Sequence, residues 1–363
     1  MKDIIGTLKS YVPEESAESV KERLGIERLV RLSANENPYG TSPKVREAVL
    51  NYIEHHDANL YPDGNASSLR SILAEYWGVA ENQLIIGVGL DEVISMVNTT
   101  YITPGDSIVI SVPAFSEYAL NGLIEGAVIR EVPCIYETGH YDFEAMRAAV
   151  DDTTRIVWIC NPNNPTGTYE TIEDIRMFIT SLPDTTLVII DEAYIDFVTS
   201  CEVPTARQLL DEFPNVCIMR TFSKAYGLAN YRVGYMMSSE NVAKYIQTIR
   251  LPYNVSTIAQ VAAEAAFKDE SFLKDTIHKN DRERALWEEL FQKLGVTHYK
   301  SDANFVFFSL PNADTLADLW LAKGYQVRRG QRPDWLRLTF PAAEDGIVMR
   351  SILKEYMDSL VNK

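Results

Sequence analysis

A short apolar stretch near the middle of the chain, LVIIDEAY at residues 187–194, indicates what kind of sheet the protein builds. Its first four residues are all apolar, which is typical of a strand buried on both faces of a parallel sheet. A carboxylate, Asp191, follows where that strand ends. Because ligands of open α/β sheets bind beyond the carboxyl ends of the strands, this position predicts a functional carboxylate.

Similar apolar runs recur on both sides of this stretch and alternate with amphipathic segments. This alternation predicts an α/β fold, with a mostly parallel sheet covered by helices on both faces. The predicted strands are Leu84–Val88, Ser107–Val112, Ala127–Val132, Arg155–Cys160, Leu187–Ile190, Val216–Arg220 and Val233–Met237. The predicted helices between them are Asp91–Tyr101, Phe115–Glu125, Asp142–Val150 and Glu170–Ser181.

The pattern changes after residue 250 and predicts a smaller α/β domain. We assign residues 40–250 to a large domain, and residues 1–39 with 251–363 to a small domain that includes an N-terminal arm. The predicted elements of the C-terminal part are the helices Thr257–Lys268, Glu270–Leu294 and Asp314–Lys323, a strand Asn304–Ser309, a strand pair near Tyr325–Arg328 and Trp335–Thr339, and a last helix from about Glu344.

Composition narrows the class of protein. The 363 residues carry a net charge of −17, which argues against nucleic acid or an anionic membrane surface as a partner. No signal-peptide pattern and no apolar run approaching the ~20 residues of a membrane span are present, so we expect a cytoplasmic protein. The four cysteines and five histidines show no metal-ligand spacing, so we expect no structural metal.

A second polar segment, TFSKAYGL at residues 221–228, follows another predicted strand. Its lysine, Lys224, is in a position where a lowered pKa and a fixed orientation would let the amine form an imine with an aldehyde. Thr221, Ser223 and Arg232 supply two hydroxyls and a guanidinium, which together suit a phosphate group.

Two further turns follow predicted strands. The run NPNNPTG at residues 161–167 can project the amide of Asn164 into the same crevice. The run GVGLDE at residues 87–92 lacks the third glycine of the dinucleotide fingerprint. It still suits phosphate binding, because Gly89 lets the backbone approach a phosphate closely. The backbone amides of Leu90 and Asp91 would also lie at the N-terminus of the next helix, where they can donate to an anion.

Aromatic side chains complete the predicted site. Tyr194 can hydrogen-bond a ring oxygen, and Phe115 can stack on a pyridine face. Asp191 would keep a pyridine nitrogen protonated. A Schiff-base lysine, a ring-nitrogen carboxylate and partners for a phenolate are the groups that pyridoxal 5'-phosphate (PLP) requires, so we interpret the chain as a PLP-dependent enzyme, most simply an aminotransferase.

The chain also resembles a known family over nearly its whole length. The resemblance rests on SANENPYG at residues 33–40, YPDG at 61–64, LRLT at 336–339 and the segments already quoted. These motifs are similar to those of the fold-type I PLP-dependent aminotransferases, and most closely to the histidinol-phosphate aminotransferase family. The resemblance implies a large domain built on a seven-stranded, mostly parallel sheet.

The resemblance implies a role for each matching residue. Lys224 would bind the cofactor covalently and shuttle a proton, and Asp191 would pair with the pyridine nitrogen. Tyr194 and Asn164 would bond the ring oxygen, and Phe115 would stack on the ring. The phosphate would be bound by Thr221, Ser223, Arg232 and the amides near Leu90 and Asp91.

The resemblance also implies a homodimer, in which Tyr61 reaches the phosphate of the neighbouring subunit's cofactor. Tyr11, Asn35, Arg328 and Arg337 would face the substrate. The chain departs from the family pattern at Leu90, where a serine is usual. It also departs in YVPEE at residues 11–15, where acids replace a glycine and a lysine.

The expected reaction is transfer of an amino group from L-histidinol phosphate to 2-oxoglutarate. Four arginines, Arg328, Arg329, Arg332 and Arg337, lie close together in the sequence, and at least one should bind an anionic substrate group. Two alternatives remain open: an aromatic or other α-amino acid aminotransferase of the same fold, and a PLP-dependent threonine-phosphate decarboxylase.

Overall fold

The computed structural model describes residues 3–8 and 14–361. Strands and helices alternate through most of these ranges. The strands are β1 (Val30–Leu32), β2 (Leu84–Val88), β3 (Ser107–Val112), β4 (Val128–Pro133), β5 (Thr154–Cys160), β6 (Leu187–Asp191), β7 (Val216–Thr221), β8 (Val233–Met237), β9 (Thr297–His298), β10 (Phe305–Ser309), β11 (Tyr325–Val327) and β12 (Trp335–Thr339).

The α-helices lie before, between and after these strands. They are α1 (Ala17–Leu24), α2 (Pro43–His55), α3 (Ser67–Trp77), α4 (Gly89–Tyr101), α5 (Ser116–Glu125), α6 (Phe143–Ala148), α7 (Ile172–Thr180), α8 (Leu209–Glu212), α9 (Glu240–Ile249), α10 (Thr257–Phe267), α11 (Glu270–Leu294), α12 (Ala313–Ala322) and α13 (Ala343–Val361). Short 3-10 turns are Asp3–Gly6, Glu81–Gln83, Ile195–Phe197 and Ala229–Tyr231. Within the described ranges, no helix is long and apolar enough to cross a bilayer.

The predicted seven-stranded sheet is confirmed. Its strand order is β2-β8-β7-β6-β5-β3-β4, and only β8 runs antiparallel to its neighbours. Alternate residues of β6 belong to different apolar cores: Val188 and Ile190 to one, Leu187 and Ile189 to the other. The central strands are therefore buried on both faces, which explains their continuous apolar sequence.

The C-terminal part differs from its prediction in one respect. The two predicted strands near residues 325 and 335 do not pair along their length. Instead, β11 pairs in parallel with β1, and β12 pairs antiparallel with β10. Only a single bridge, between Arg328 and Arg337, joins them. The partner strand β1 lies about 300 residues earlier, beyond the reach of local sequence patterns.

A third apolar core lies between this C-terminal sheet and helices α11, α12 and α13, and it includes Trp287, Trp320 and Leu353. Helix α10 contributes Ala259, Ala263 and neighbouring residues to one of the two cores of the large sheet. The proposed domain boundary at residue 250 remains a prediction.

Candidate active site

Two adjoining cavities lie where β5, β6 and β7 end. The inner chamber has a volume of about 390 Å³ and is lined by Ala34, Glu36, Leu90, Asp91, Phe115, Tyr118, Cys160, Asn164, Asp191, Ala193, Tyr194, Thr221, Ser223, Lys224, Ala229, Asn230 and Arg232. The outer chamber has a volume of about 570 Å³ and is lined by Glu14, Arg31, Ser33, Ala34, Asn35, Pro113, Ala114, Phe115, Ser116, Asn164, Tyr194, Lys224, Arg328, Gln331 and Arg337.

Lys224 lies where the two chambers meet. Its Nζ donates a hydrogen bond to the Ala34 carbonyl at 2.8 Å and lies 5.7 Å from the centre of the Tyr194 ring. Burial, together with the positive charge of Arg337, lowers the pKa of Lys224 to about 8. A substantial fraction of this amine is therefore neutral near pH 8, the form that reacts with carbonyl carbon.

Asp191 lies at the end of β6 with both carboxylate oxygens hydrogen-bonded. Oδ1 accepts from the Ala193 backbone N–H at 2.9 Å, and Oδ2 accepts from the Tyr118 hydroxyl at 2.6 Å. The Tyr118 ring is itself stacked on Trp158, with ring centres 4.6 Å apart. Burial raises the pKa of Asp191 to about 6, while these two hydrogen bonds act in the opposite direction. The carboxyl is therefore fixed in orientation and ionised above pH 6.

The Tyr194 hydroxyl accepts two side-chain amide hydrogen bonds, from Asn35 at 3.0 Å and from Asn164 at 3.4 Å. Burial raises the pKa of Tyr194 above its usual value, and the charge of Arg337 opposes this increase. A phenol and two amides thus converge on one side of the inner chamber. This arrangement can bind a ring-bound oxygen.

The opposite end of the inner chamber suits an anion. Thr221, Ser223 and Arg232 line it together with the first turn of α4, whose unpaired backbone N–H groups favour negative charge. Gly89 begins that turn with φ 72°, a backbone conformation that favours glycine, and a Cβ there would lie 2.5 Å from Arg232 Nη2. Arg232 Nη2 also donates to Asp91 at 2.8 Å.

These features fit pyridoxal 5'-phosphate. Backbone amides, two hydroxyls and a guanidinium can hydrogen-bond its phosphate, and the Asp191 carboxylate can pair with its ring nitrogen. The Tyr194 phenol and the amides beside it can hydrogen-bond its ring oxygen.

The outer chamber is rich in arginine. Arg337 is buried, and its Nη1 and Nη2 donate to the Asn164 side chain and to the Ser33 carbonyl. Its Nε has no acceptor among residues 3–8 and 14–361. Burial lowers the pKa of Arg337 to about 10. A buried cation whose described partners are neutral groups favours an anionic ligand.

Most of the sequence-predicted residues come together in this site. Ten line the inner chamber, namely Leu90, Asp91, Phe115, Asn164, Asp191, Tyr194, Thr221, Ser223, Lys224 and Arg232, and Gly89 adjoins it. Asn35, Arg328 and Arg337 line the outer chamber. Tyr61 lies elsewhere, exposed on the surface, and Tyr11 lies outside the described residues.

Several lining residues were not predicted as site residues, among them Tyr118 and Glu14. Tyr118 lies three positions after Phe115 on α5, and that spacing along one helix face was a usable signal. Glu14 enters the outer chamber from the N-terminal part of the chain. No local pattern indicated its position, because the pairing of β1 with β11 is what brings that segment there.

Comparisons with known proteins agree with this geometry. The profile of a family described as "Aminotransferase class I and II" matches residues 27–352. The chain is 50% identical to a histidinol-phosphate aminotransferase of Limosilactobacillus fermentum, over 98% of this chain and 99% of that one. It is 47% identical to that of Lactiplantibacillus plantarum, over 98% and 99%. A crystal structure of histidinol-phosphate aminotransferase from Sinorhizobium meliloti, in complex with pyridoxal-5'-phosphate, superposes with a TM-score of 0.89 at 28% identity, over 99% and 98%.

Proposed function

Since the chain belongs to the family of class I and II aminotransferases, we propose that it transfers the amino group of L-histidinol phosphate to 2-oxoglutarate. It is a PLP-dependent aminotransferase. The substrate proposal is supported by relatives of that name at 50% and 47% identity over almost the entire chain. The observation that carries the chemistry is the position of Lys224, the one lysine that lines either chamber of the described structure.

When bound, PLP supplies a carbonyl carbon that exchanges amino groups and a ring that withdraws electrons from the reacting bond. Thr221, Ser223, Arg232 and the amides of Leu90 and Asp91 would bind its phosphate. Phe115 would cover the ring face. The proposal is supported by the position of these residues, all of which line the inner chamber.

The remaining residues would protonate the cofactor ring, transfer the substrate proton and orient the substrate. Asp191, fixed by Tyr118 and Ala193, would keep the ring nitrogen protonated. Asn164 and Tyr194 would hydrogen-bond the ring oxygen. The Lys224 amine, with its lowered pKa, would accept the proton from the substrate Cα and return it during the exchange. Asn35 and Arg337 would orient the substrate from the outer chamber, Arg337 through its anionic group.

The direct test is a half-reaction. Protein loaded with PLP is mixed with L-histidinol phosphate in the absence of any keto acid. We expect stoichiometric loss of the bound cofactor's visible absorbance, restored by 2-oxoglutarate. An unchanged spectrum would contradict the donor assignment, and phenylalanine and tyrosine would be tested next. Release of carbon dioxide without a keto acid would instead indicate a decarboxylase.

Arg337→Ala is expected to raise the KM for the anionic substrate about 10- to 100-fold, the usual cost of losing a charge-assisted hydrogen-bonding partner. Steady-state kinetics with each substrate measure the effect. Arg329→Ala is the matched control, because Arg329 pairs with Asp318 outside both chambers. An unchanged KM in the Arg337 variant would remove this arginine from the substrate site.

We also infer that two copies of the chain associate. Leu60, Tyr61, Leu251 and Tyr253 form an exposed apolar patch, in which Tyr61 is 82% exposed and stacks on Tyr253 with ring centres 4.7 Å apart. Such a patch favours burial against another surface. In the dimer, the partner subunit's Tyr61 would reach the phosphate end of the inner chamber. A solution mass near 41.0 kDa, that of one chain, would contradict this inference.

We further propose that the enzyme is cytoplasmic and that nucleic acid and membranes are not its partners, as the net charge of −17 suggests. Recovery of the protein in a washed membrane fraction of cells would contradict this location.

A further inference from the structure

An acidic side chain from the N-terminal part of the chain lies among the arginines of the outer chamber. The Glu14 carboxylate accepts hydrogen bonds from Arg328 Nη1 at 3.1 Å and from the Ser33 hydroxyl at 2.7 Å. Arg31 Nη2 lies 3.9 Å from the same carboxylate and 3.6 Å from that of Glu36. The Glu14 side chain is 18% exposed, whereas the Arg328 and Arg31 side chains are 40% and 38% exposed, so the carboxylate lies on the inner side of these contacts.

The groups around Glu14 form an anion site. Two guanidiniums and a hydroxyl are the donors that bind a carboxylate or phosphate in proteins. They come from separate parts of the chain, since Arg31 and Ser33 lie in and just after β1, while Arg328 follows β11. Glu14 therefore occupies, from within the protein, a position that suits an anionic group of a ligand.

The residues of this site, Glu14, Arg31 and Arg328, line the outer chamber but not the inner one, which Lys224 also lines. Glu14 and Arg328 also line a separate surface cavity of about 380 Å³, together with Asp318 and Arg329, so they form the wall between the outer chamber and that cavity. Arg337 is the proximal arginine, because it contacts Asn164, which lines both chambers with Lys224. The outer chamber thus has a proximal cation, Arg337, without a carboxylate partner in the described structure. Of the two distal cations, Arg328 pairs with Glu14, and Arg31 is shared between Glu14 and Glu36.

The two substrates of the proposed reaction differ at their distal ends. Each has an anionic group close to the reacting carbon, a phosphate ester in L-histidinol phosphate and a carboxylate in 2-oxoglutarate. Beyond that carbon, the donor has a neutral imidazole ring, whereas the acceptor has a second carboxylate. A distal carboxylate and Glu14 cannot both occupy the same pair of arginines without like-charge repulsion.

We propose that Glu14 is a specificity-determining residue that discriminates between the two substrates, an inference that rests on the proposed function. With the amino donor, Glu14 remains on Arg328 and Ser33 and neutralises the distal arginines beside the imidazole ring. With the keto acid, the distal carboxylate displaces Glu14 and takes over its contacts. Glu14 is then an intramolecular competitor for dicarboxylates alone.

The test compares Glu14→Gln with the parent enzyme, both loaded with PLP. Glutarate, a dicarboxylate that cannot accept an amino group, is titrated by calorimetry. We expect Glu14→Gln to bind glutarate about 10-fold more tightly and to show a similarly lower KM for 2-oxoglutarate. The KM for L-histidinol phosphate should not fall in the same way: it should stay within about twofold of the parent value or increase, because the distal ring of this substrate does not compete with Glu14.

Glu15→Gln is the matched control. Glu15 is the adjacent acid, but it pairs with Arg23 at the surface and lines neither chamber. Glutarate binding that is unchanged or weaker in Glu14→Gln would overturn the proposal, as would an equal decrease in the KM of both substrates, which would indicate general repulsion of anions. Glutarate binding requires no turnover, so this result stands even if L-histidinol phosphate proves not to be the donor.

Discussion

Lys224→Ala is expected to lower the turnover of the PLP-loaded enzyme by about 10⁴-fold, because the variant loses the amine that accepts and returns the substrate proton. No other lysine lines either chamber of the described structure, so no neighbouring amine can substitute for it. Single-turnover kinetics with L-histidinol phosphate measure the loss. The cofactor should still bind through its phosphate and ring contacts, which do not depend on Lys224.

A second measurement separates a chemical from a structural effect. After borohydride reduction and proteolysis, mass spectrometry should find the cofactor attached to the Lys224 peptide of the parent protein and to no peptide of the variant. Lys274→Ala is a suitable control, since Lys274 is an exposed residue of α11 paired with Glu270. Wild-type turnover in Lys224→Ala would contradict the entire assignment of the site.

Asp191→Asn is expected to reduce turnover by about 10²- to 10³-fold, the usual effect of removing one preorganised charged group from a reacting site. The substitution preserves the size of the side chain but removes the negative charge that would hold a proton on the ring nitrogen. Steady-state kcat with saturating substrates measures the loss. Asp211→Asn, which alters an exposed carboxylate paired with Arg207, should leave kcat unchanged.

A milder substitution tests the Asp191 carboxylate without removing it. Tyr118→Phe deletes only the hydrogen bond to Asp191 Oδ2 and retains the ring stacked on Trp158. That hydrogen bond lowers the pKa of Asp191, so its loss should raise the pKa further above its usual range. The acidic limb of the kcat profile should then move to higher pH. A near-normal rate in Asp191→Asn would place the ring-nitrogen partner elsewhere, and an unshifted limb in Tyr118→Phe would separate Tyr118 from that role.

The central sheet was predictable because each of its strands is locally distinctive. Residues 187–190 are buried on both faces, so their sequence is apolar throughout, and the polar residue that ends the strand marks the ligand-binding edge. Asp191 and Lys224 could therefore be assigned to one crevice before the structure was known. Two further residues of the inner chamber, Asn164 and Thr221, follow from the same rule because they come at or after strand ends. Arg232 instead directly precedes β8, whose antiparallel direction brings its first residue to the same edge.

The outer chamber was only partly predictable, because its walls depend on contacts between distant parts of the chain. Arg328 and Arg337 were expected to face the substrate, but the carboxylate that pairs with Arg328 comes from position 14. That contact spans 314 residues and depends on the pairing of β1 with β11. Tyr118 was missed for another reason. A sequence pattern can indicate that an aromatic residue lies on a helix, but it does not show that the hydroxyl of that residue hydrogen-bonds Asp191.

The positions of the two chambers in the chain have a consequence for the order of synthesis. Every residue that lines the inner chamber has been translated once Arg232 is added, whereas the outer chamber requires both Glu14 and Arg337. A ribosome thus completes the residues for cofactor binding about a hundred codons before those for substrate binding. For the same reason, a premature stop between residues 233 and 328 would remove Arg328 and Arg337 while leaving every inner-chamber residue in the chain.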